Sequence, residues 1–358
     1  MAFLDKRMVN ASKFITSYLI AFGAFSINIW KVIDTMSQKR IFKILSIDGG
    51  GILGLYSVDI LRRIQAEFLD NKPIFTEFQL ITGTSTGGII ALGLALGKNP
   101  EEISDFYLKY RKKIFPWLRS LLFPGGFFHN KYSNRKLQNA LRVFFEDATI
   151  SDCKTAVCIP VIDVSNWQPM IFKTNNDGTQ RRDLNVKLRD IAIATSSAPS
   201  FFPIYSFGVY TGLIDGGLWQ NNPALFGVIE ACNCFIGPDK NYDKIRILSI
   251  GNPFSGIRQS LSAKIKSSGI IRFREKLVSL PMKISSLGTH YILNFLSKSN
   301  ALSIDSYLRI ESENLPISFN KLKLDSASDD TISKLLERSN FDFNNKKHEI
   351  IQFFREEM

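Results

Sequence analysis

The sequence predicts a three-layer α/β fold, on two observations. Short apolar runs rich in β-branched residues alternate along the chain with stretches whose apolar residues recur at helical spacing. Glycine-rich turns join two of these runs to the helices that follow them. Strands that alternate with helices in this way are typical of a sheet covered by helices on both faces.

Two strand and helix pairs begin the predicted order. Ile41 to Ile47 is a β-branched apolar run that three glycines end, and Leu55 to Leu69 then carries apolar residues at helical spacing. Phe78 to Ile81 repeats the strand pattern, and the apolar helix Ile89 to Leu96 follows it. Each pair therefore consists of a strand, a glycine-rich turn and a helix.

Capping residues predict the next helix. Asn99 is a typical N-cap residue and Pro100 suits the first helical position, so a helix is expected to run to about Phe115. Two later apolar runs, Ala156 to Val164 and Ile245 to Ile250, predict further strands. All of these predicted strands lie before residue 256.

Three regions are expected along the chain. Residues 1–38 form an N-terminal leader, residues 39–255 the α/β domain, and residues 256–358 a C-terminal extension that is helical for the most part. The leader contains an uncharged run, Phe14 to Trp30, that falls short of the about 20 apolar residues of a spanning helix. A membrane anchor, an interfacial helix and a weakly ordered leader all fit this run, and Met36 offers a start for a cytosolic domain.

The chain is basic and otherwise has the composition of a soluble globular protein. It carries 45 Lys and Arg against 33 Asp and Glu, which gives a net charge of +12, and 45% of its residues are hydrophobic. This charge favours contact with an anionic partner, such as a phospholipid surface or a nucleotide. Nucleic acid is not expected, because no nucleic-acid-binding module accompanies the charge.

The cysteines and histidines do not predict a metal site. The four cysteines lack C-x-x-C spacing, and the three histidines are far apart and outside any H-E-x-x-H pattern. We therefore expect reduced thiols, no metal and no organic cofactor.

The segment Gly83-Thr84-Ser85-Thr86-Gly87 spells G-x-S-x-G between a predicted strand and a predicted helix. This is the setting of a nucleophile elbow, a sharp turn that presents a serine at the start of a helix. Gly83 and Gly87 allow the turn because they carry no Cβ atom that would clash. Ser85 is therefore the predicted nucleophile.

A second glycine-rich turn, Gly49 to Gly54, follows the first predicted strand and fits the dinucleotide-binding pattern G-x-G-x-x-G. That fold needs an acidic residue at the end of the next strand, whereas Asp70 lies at the tail of the predicted helix with no strand before it. What remains is a row of backbone N–H groups aimed at an anion. Beside a serine nucleophile, this row predicts an oxyanion hole formed by Gly49, Gly50 and Gly51.

A serine nucleophile needs a base that accepts its proton. The hydrolase order of serine, acid and histidine would use His290 or His348, but both lie in the extension and no glycine-bounded loop positions them. Asp215 instead ends a short apolar run, and the glycines after it let it approach another backbone. A dyad of Ser85 and Asp215 is therefore preferred, and a triad with a histidine is the alternative.

Three motifs, SIDGGGILGL, GTSTGG and DGG, resemble in order and spacing those of the patatin-like phospholipases. The resemblance continues through ATSSAPSFFP and LIDGGLWQNNPA and covers about Lys43 to Gly251. It implies an α/β acyl hydrolase with Ser85 as nucleophile, Asp215 as general base and residues 49–51 as oxyanion donors. The glycines that would support these motifs are Gly54, Gly83, Gly87, Gly216 and Gly217.

The same resemblance implies the substrate and the reaction. Membrane phospholipids would lose ester-linked fatty acids through an acyl-enzyme, and residues 39–255 would be the catalytic domain. One position departs from the family pattern, because Leu53 stands where Arg or Lys is usual. Backbone donors survive this change but an anchoring charge does not, so an altered head-group preference is expected.

Within the family, the segments IPVIDVSNWQPMIFKT and LKLDSASDDTISKLLE are similar to bacterial patatin effectors of anti-phage defence, which a cyclic nucleotide switches on. This similarity implies a cyclic di- or trinucleotide activator and a cytoplasmic protein peripheral on the membrane. The sequence leaves open whether the chain forms a homo-oligomer.

A non-catalytic reading is the alternative from another functional class. In it, the fold serves as a nucleotide-sensing or membrane-docking protein that uses its positive charge. Two basic clusters would suit lipid or phosphate in either case, although a solvated helix face has the same pattern. The first comprises Lys109, Arg111, Lys112 and Lys113 with Phe115, Trp117 and Phe123, and the second Lys264, Lys266, Arg272, Arg274, Lys276 and Lys283.

Overall fold

The computed structural model describes residues 40–115, 130–253, 276–312, 315–316, 319 and 322–355. From residue 42 onward these belong to one compact unit, Phe42–Met358. The predicted leader 1–38 lies outside the described residues. So do His129 and parts of the two basic clusters, namely Trp117, Phe123, Lys264, Lys266, Arg272, Arg274 and the side chain of Lys276.

The described residues form one mixed sheet of eight strands. In chain order they are β1 Ile41–Ile47, β2 Leu80–Gly83, β3 Ala156–Asp163, β4 Gln168–Lys173, β5 Tyr205–Phe207, β6 Tyr210–Asp215, β7 Lys244–Ile250 and β8 Ile304–Ile310. Across the sheet the order is β5-β6-β3-β2-β1-β7-β8, with β4 paired to β3. The pairs β1–β2, β2–β3 and β7–β8 are parallel, and β3–β4, β3–β6 and β5–β6 are antiparallel.

Nine α-helices accompany the sheet within the described ranges. They are α1 Gly54–Phe68, α2 Thr86–Leu96, α3 Pro100–Ile114, α4 Asn134–Phe145, α5 Leu188–Ser196, α6 Gly217–Gln220, α7 Ala224–Cys234, α8 Lys276–Lys298 and α9 Asp329–Phe354. Short 3₁₀ turns lie at Gly51–Leu53, Ile74–Thr76, Ile150–Asp152 and Ala301–Ser303. Among the helices described, none combines the length and the apolar content that crossing a bilayer would require.

The sheet separates two apolar cores, which makes the fold three-layered. Along β1, Leu45 and Ile47 contribute to one core, and Phe42 and Ile44 contribute to the other. Successive side chains of a strand point to opposite faces, so this alternation places one core on each side of the sheet. Helices α1 to α5 and α9 supply the first core, and α7 with part of α8 supplies the second. The predicted α/β class is confirmed.

The predicted strands and helices before residue 116 all form, as do the strands predicted near residues 156 and 245. The capping prediction for α3 is confirmed in detail, because Asn99 Oδ1 accepts from Glu102 N at 2.9 Å and Glu102 Oε2 accepts from Asn99 N at 2.9 Å. The antiparallel strands β4, β5 and β6 were not predicted as strands. They make the sheet mixed.

The described part of the C-terminal extension is mainly helical, as expected, but it also supplies β8. That strand pairs in parallel with β7 over Ile245 to Ile250. Its sequence, IDSYLRI, contains three polar or charged residues, so its apolar pattern is weak. Helix α9 packs on α1, where Tyr56 Oη donates to Asp342 Oδ2 at 2.9 Å. The division at residue 255 stays a prediction.

The pairing register brings the loops after β1 and β2 to the same place as the end of β6. Strand β2 pairs with β3 up to Thr82 opposite Cys158. Beyond that point β3 pairs with β6 instead of β2, and Asp215 lies opposite Val161. The chain therefore leaves β2 toward Ser85 at the level where β6 ends at Asp215.

Candidate active site

Ser85 lies in a sharp turn between β2 and α2. Its backbone has φ 54° and ψ −127°, an unusual conformation for a residue with a side chain. Flanking glycines are required by contact distances: a Cβ atom at Gly83 would lie 2.0 Å from Gly87 O, and one at Gly87 would lie 2.2 Å from Ile47 O. The strained turn places Ser85 at the N-terminus of α2, which is the geometry of a nucleophile elbow.

Thr195 holds this turn from the side. Ser85 N donates to Thr195 Oγ1 at 3.0 Å, and Thr195 Oγ1 donates to Pro160 O at 2.8 Å. The threonine thus links the elbow to β3. Sequence reasoning gave Thr195 no role, although it belongs to the quoted segment ATSSAPSFFP.

Asp215 reaches Ser85 from the end of β6. Its Oδ2 accepts a hydrogen bond from Ser85 Oγ at 2.6 Å, and its Oδ1 accepts from Gly217 N at 2.7 Å. Burial raises the pKa of Asp215 to about 7, although the bonds from Ser85 and Gly217 oppose the rise. The structure therefore brings the two predicted residues together, with a carboxyl group able to exchange a proton near neutral pH.

The two glycines after Asp215 occupy crowded positions. A Cβ atom at Gly216 would lie 2.3 Å from Pro160 O. One at Gly217 would lie 2.8 Å from Met282 Cε and 3.0 Å from Asp215 Oδ1. Both positions therefore exclude larger residues, and Gly217 also supplies the N–H that orients the carboxylate.

The three amides of the glycine loop differ in what they bind. Gly49 N donates to Asn221 O at 3.2 Å, and Gly50 N donates to Thr86 Oγ1 at 3.1 Å. Gly51 N makes no hydrogen bond to the part of the chain that the structure describes. Of these three residues, only Gly51 lines the pocket that contains Ser85 and Asp215. The amide of Gly51 is therefore the one available to an oxyanion in this conformation.

Steric crowding explains the glycine at position 51. Its φ is +58°, and a Cβ atom there would lie 2.0 Å from Leu324 O. That carbonyl also accepts from Ile52 N at 2.8 Å, so residue 324 fixes the loop. Gly54 begins α1, where a Cβ atom would lie 3.3 Å from the Cβ atom of Thr86.

A buried ion pair from the extension anchors the base of the loop. Arg309 on β8 donates to Asp48 Oδ1 at 3.0 Å and to Asp48 Oδ2 at 2.7 Å. Ser286 on α8 donates to Asp48 Oδ2 at 2.6 Å. Burial lowers the pKa of Arg309, but the charges of Asp48 and Glu311 outweigh this and raise it well above its usual value. Arg309 therefore stays charged and holds the loop.

This ion pair is relevant to position 53, where Leu53 replaces the Arg or Lys that is usual in the family. Leu53 is fully buried in the apolar core, so no charge extends from that position. A positive charge reaches the loop from Arg309 through Asp48 instead, and sequence reasoning missed it. A lone arginine in the strand IDSYLRI carries no signal of a partner more than 200 residues away.

An apolar pocket opens beside Ser85 and Asp215. It has a volume of about 60 Å³ and is lined mostly by hydrophobic side chains, among them Ile89, Phe106, Ile114, Leu137, Phe202 and Met282. Ser196 Oγ, which also lines it, is buried with no hydrogen-bond partner among the described residues. Such a pocket suits a hydrocarbon chain next to the reactive serine.

Of the other candidates of the sequence, Arg111 and Phe115 of the first basic cluster also line this pocket, and the remaining described ones lie elsewhere. His290 and His348 are not among the residues that line this pocket; His290 Nδ1 is 3.1 Å from Tyr307 Oη instead. In the first basic cluster, Lys112 pairs with Asp329 at 3.0 Å and Arg111 pairs with the same carboxylate. All four cysteines are free thiols. Within the described ranges, no three His, Cys, Asp or Glu side chains are grouped so that they could hold a metal ion.

Comparison with known proteins identifies a family and several relatives. Residues 45–226 match the profile of a family described as patatin-like phospholipase. The chain is 30% identical over 322 residues to a cGAMP-activated phospholipase of Vibrio cholerae, across 84% of this chain and 90% of that protein. It is 31% identical over 319 residues to a cGAMP-activated phospholipase of Escherichia coli, across 86% and 89%. The solved structure of human GIVD cytosolic phospholipase A2 aligns with a TM-score of 0.39 and 11% identity, across 88% of this chain and 58% of that one.

Proposed function

The chain belongs to the patatin-like phospholipase family and is thus a lipid ester hydrolase, and from this premise we infer that Ser85 and Asp215 carry out the hydrolysis. The observation that carries the proposal is the 2.6 Å hydrogen bond from Ser85 Oγ to Asp215 Oδ2 beside an apolar pocket. No histidine lines that pocket among the described residues, so the carboxylate is the base in reach of the serine.

The reaction follows from the geometry of this pair. Ser85 Oγ attacks the ester carbonyl carbon while its proton passes to Asp215, and the carbonyl oxygen takes the negative charge. When the tetrahedral intermediate collapses, Asp215 returns the proton to the departing alcohol oxygen, which leaves the fatty acid esterified to Ser85. Water, deprotonated by Asp215, then attacks this ester, and the proton returns to Ser85 as the fatty acid leaves. A pKa of about 7 allows Asp215 to accept and donate the proton in turn.

The glycine loop supplies the oxyanion donors. Gly51 N is the readiest donor, because no carbonyl or hydroxyl of the described chain occupies it. For Gly50 N to take part, its bond to Thr86 Oγ1 must be exchanged for the substrate oxygen. One donor of an oxyanion hole typically contributes a factor of about 10²–10³ to the rate.

The substrate is a membrane phospholipid, with one acyl chain in the pocket next to Ser85. The pocket's lining is mostly apolar, which suits an acyl chain better than a sugar or a peptide. The net charge of +12 suits an anionic lipid surface.

Two hairpin turns provide a surface for peripheral membrane contact. Strand β3 continues past the level of Asp215 to a turn at Trp167, and β6 begins beyond that level, after a turn at Val209. The side chains of Trp167 and Val209 are 92% and 89% exposed. Val164 N donates to Gly212 O at 2.9 Å, so the two turns lie side by side. An exposed tryptophan on the edge that carries the catalytic pair is suited to the lipid interface.

This contact predicts a specific loss in Trp167→Ser. Partition onto anionic phospholipid vesicles, measured by co-sedimentation, is expected to fall about tenfold, while hydrolysis of a dissolved short-chain ester stays unchanged. Leu302→Ser removes an exposed apolar side chain just before β8 and serves as the control. Equal partition of both variants would contradict the membrane contact.

Relatives of this chain are activated by cGAMP, as their names state, and we extend this regulation to the present protein. The similarity spans most of both chains, so it includes at least part of the C-terminal region as well as the catalytic motifs. Activation by a cyclic nucleotide is consistent with a role in anti-phage defence, in which hydrolysis of the cell's own membrane would be held off until a signal arrives.

Fatty-acid release from phospholipid vesicles tests the function. The intact chain and its Ser85→Ala variant are each incubated with and without cyclic GMP–AMP, and the products are measured by mass spectrometry. We expect release that requires both Ser85 and the nucleotide. A Ser85→Ala variant that releases as much fatty acid as the parent would exclude the dyad, and nucleotide binding without any release would favour the non-catalytic reading.

A further inference from the structure

A second and larger cavity lies against β8. Its volume is about 570 Å³, compared with about 60 Å³ for the pocket at Ser85. Residues of β7, β8, α8 and α9 line it, so most of its wall comes from the C-terminal region. This volume accommodates a molecule of several linked rings rather than a single ion.

Two polar atoms in the wall of this cavity lack partners. Ser306 Oγ and Glu349 Oε2 are both buried and have no hydrogen bond to the described chain. The other oxygen of Glu349 accepts from Lys346 Nζ at 3.1 Å. Buried polar groups of native proteins are nearly always paired, so this donor and this acceptor mark places where a small movement of the cavity wall would let a polar ligand or an ordered water bind.

The remaining wall suits a nucleotide. Lysine side chains, from Lys283 on α8 and Lys346 on α9, can each bind a phosphate oxygen. The ring of Tyr307 offers a flat apolar surface to a base, whereas Phe353 contributes only an edge of the buried core. A carboxylate oxygen such as Glu349 Oε2 accepts from the N–H groups on the edge of a purine. Each part of a nucleotide therefore has a group of matching chemistry.

The cavity is also connected to the glycine loop. Lys283 and Glu311 line it, and both also line a small space behind Asp48 and Gly49. Glu311 Oε2 accepts from Arg309 Nε at 2.9 Å, and the same guanidinium holds Asp48. Lys283 Nζ also pairs with Glu311 Oε1. A phosphate that approaches Lys283 would compete with Glu311 for this lysine and so alter the support of Arg309.

We propose that the cavity against β8 binds a cyclic dinucleotide, and that Lys283, Glu311 and Arg309 transmit its binding to the glycine loop. The inference rests on the proposed activation by a cyclic nucleotide and assigns it a place. Bound ligand favours the loop conformation that it fits better, so activation requires a difference in its affinity for the two conformations. Release of the Gly50 amide from Thr86 Oγ1 is the change in the loop that would add a second oxyanion donor.

Two neighbouring lysines on α9 make a matched test. Lys346 lines the cavity, whereas Lys347 pairs with Glu67 and does not line it. Both are partly exposed, so charge reversal at either leaves the core intact. Binding of cyclic GMP–AMP is measured by titration calorimetry, and the nucleotide concentration for half-maximal fatty-acid release is measured on vesicles.

We expect Lys346→Glu to weaken binding at least about tenfold and to raise the activating concentration equally, with Lys347→Glu unchanged. Glu349→Gln, which keeps the size of the side chain, is expected to weaken binding about threefold to tenfold because an amide replaces the carboxylate acceptor. Unstimulated hydrolysis of a dissolved short-chain ester should stay at the parent level in all three variants.

The outcomes separate this inference from the proposed function. Parent-like binding and activation in Lys346→Glu and Glu349→Gln would place the activator elsewhere and overturn the inference. So would a parent protein that binds none of cyclic GMP–AMP, cyclic di-AMP and cyclic di-GMP, and Ser85-dependent release in that protein would leave the hydrolase proposal standing. Nucleotide binding that depends on Lys346, without hydrolysis, would support the site and overturn the hydrolase.

Discussion

The elbow at Ser85 and the glycine loop that faces it are held in different ways. The elbow depends on close backbone contacts and on Thr195, all within the part of the chain that matches the family profile. The loop depends on the buried Asp48–Arg309 ion pair and on the carbonyl of Leu324, both of which reach it from beyond residue 300. Nucleophile and base are therefore positioned locally, whereas the glycine loop has local contacts to Thr86 and Asn221 and is also held by the C-terminal region.

This difference separates the residues that carry out the reaction from the region through which the reaction could be regulated. A site whose serine and base are always in place can still be inactive if the donors for the oxyanion are misplaced. Because the C-terminal region contributes β8 to the sheet and an arginine to the loop, a change in that region can reach the donors without moving Ser85. Variants on the two sides should therefore fail in different ways.

The largest effect is expected on the elbow side, in Asp215→Asn. The amide keeps the shape and can still accept a hydrogen bond from Ser85 Oγ, but it cannot take the proton. Fatty-acid release should fall about 10²-fold to 10⁴-fold. Thermal unfolding at pH 8 should occur at an equal or higher temperature, because the variant no longer buries a charge. Loss of activity together with a large loss of stability would contradict this description.

The next effect is expected on the loop side, in Arg309→Met. Removal of one partner leaves Asp48 buried and unpaired, which typically costs about 3–5 kcal/mol in the free energy of unfolding. Hydrolysis should fall about 10²-fold as the loop loses its alignment. Here activity and stability should decline together, unlike in Asp215→Asn.

A double variant is the control for this prediction. Asp48→Asn combined with Arg309→Met removes both charges, and denaturant unfolding should show that much of the lost stability returns. Hydrolysis should stay low, since the loop still lacks its anchor. Full activity in the double variant would show that the ion pair does not position the donors.

The residues of this site that the sequence predicts are those positioned by local contacts. Ser85, Asp215 and their glycines could be identified because each motif combines a catalytic side chain with the backbone freedom that its turn requires. Thr195 and Arg309 could not, because their roles arise from contacts across the fold, and a single threonine or arginine has no distinctive spacing. Gly51 could be identified only as one of three, since the sequence does not show which amides are occupied by Asn221 and Thr86.

The same reasoning explains which strands the sequence predicts. Strands β1, β2, β3 and β7 are buried apolar runs, which the sequence reveals directly. Strands β5 and β8 carry polar residues at or near the rim of the sheet, and their pairing with a neighbour defines them better than their own pattern does. Burial in the middle of the sheet leaves a pattern in the sequence, whereas strand addition at an edge leaves little.

The pH dependence of the elbow side is the third expected effect. Hydrolysis requires ionised Asp215, so its rate should rise about tenfold per pH unit up to about pH 7 and then level off. Stability should change in the opposite direction. The pKa of this carboxyl is raised in the folded state. Its contribution to the free energy of unfolding is therefore fully present below about pH 4 and is lost as the pH rises to about 7. Asp215→Asn should flatten the stability profile over that range, and an unchanged profile would show that the carboxyl ionises as in the unfolded chain.

The smallest effect is expected for Thr195→Val. Valine has nearly the shape of threonine but cannot accept the hydrogen bond from Ser85 N or donate one to Pro160 O, so stability should fall by about 1–3 kcal/mol. If the bond also sets the position of Ser85 Oγ, the rate of fatty-acid release at saturating lipid should fall about threefold to tenfold while KM stays constant. Thr195→Ser retains the hydroxyl and should restore the rate without fully restoring stability, because a methyl group is still missing from the core. A serine variant as slow as the valine variant would mean that packing, and not the hydrogen bond, positions the elbow.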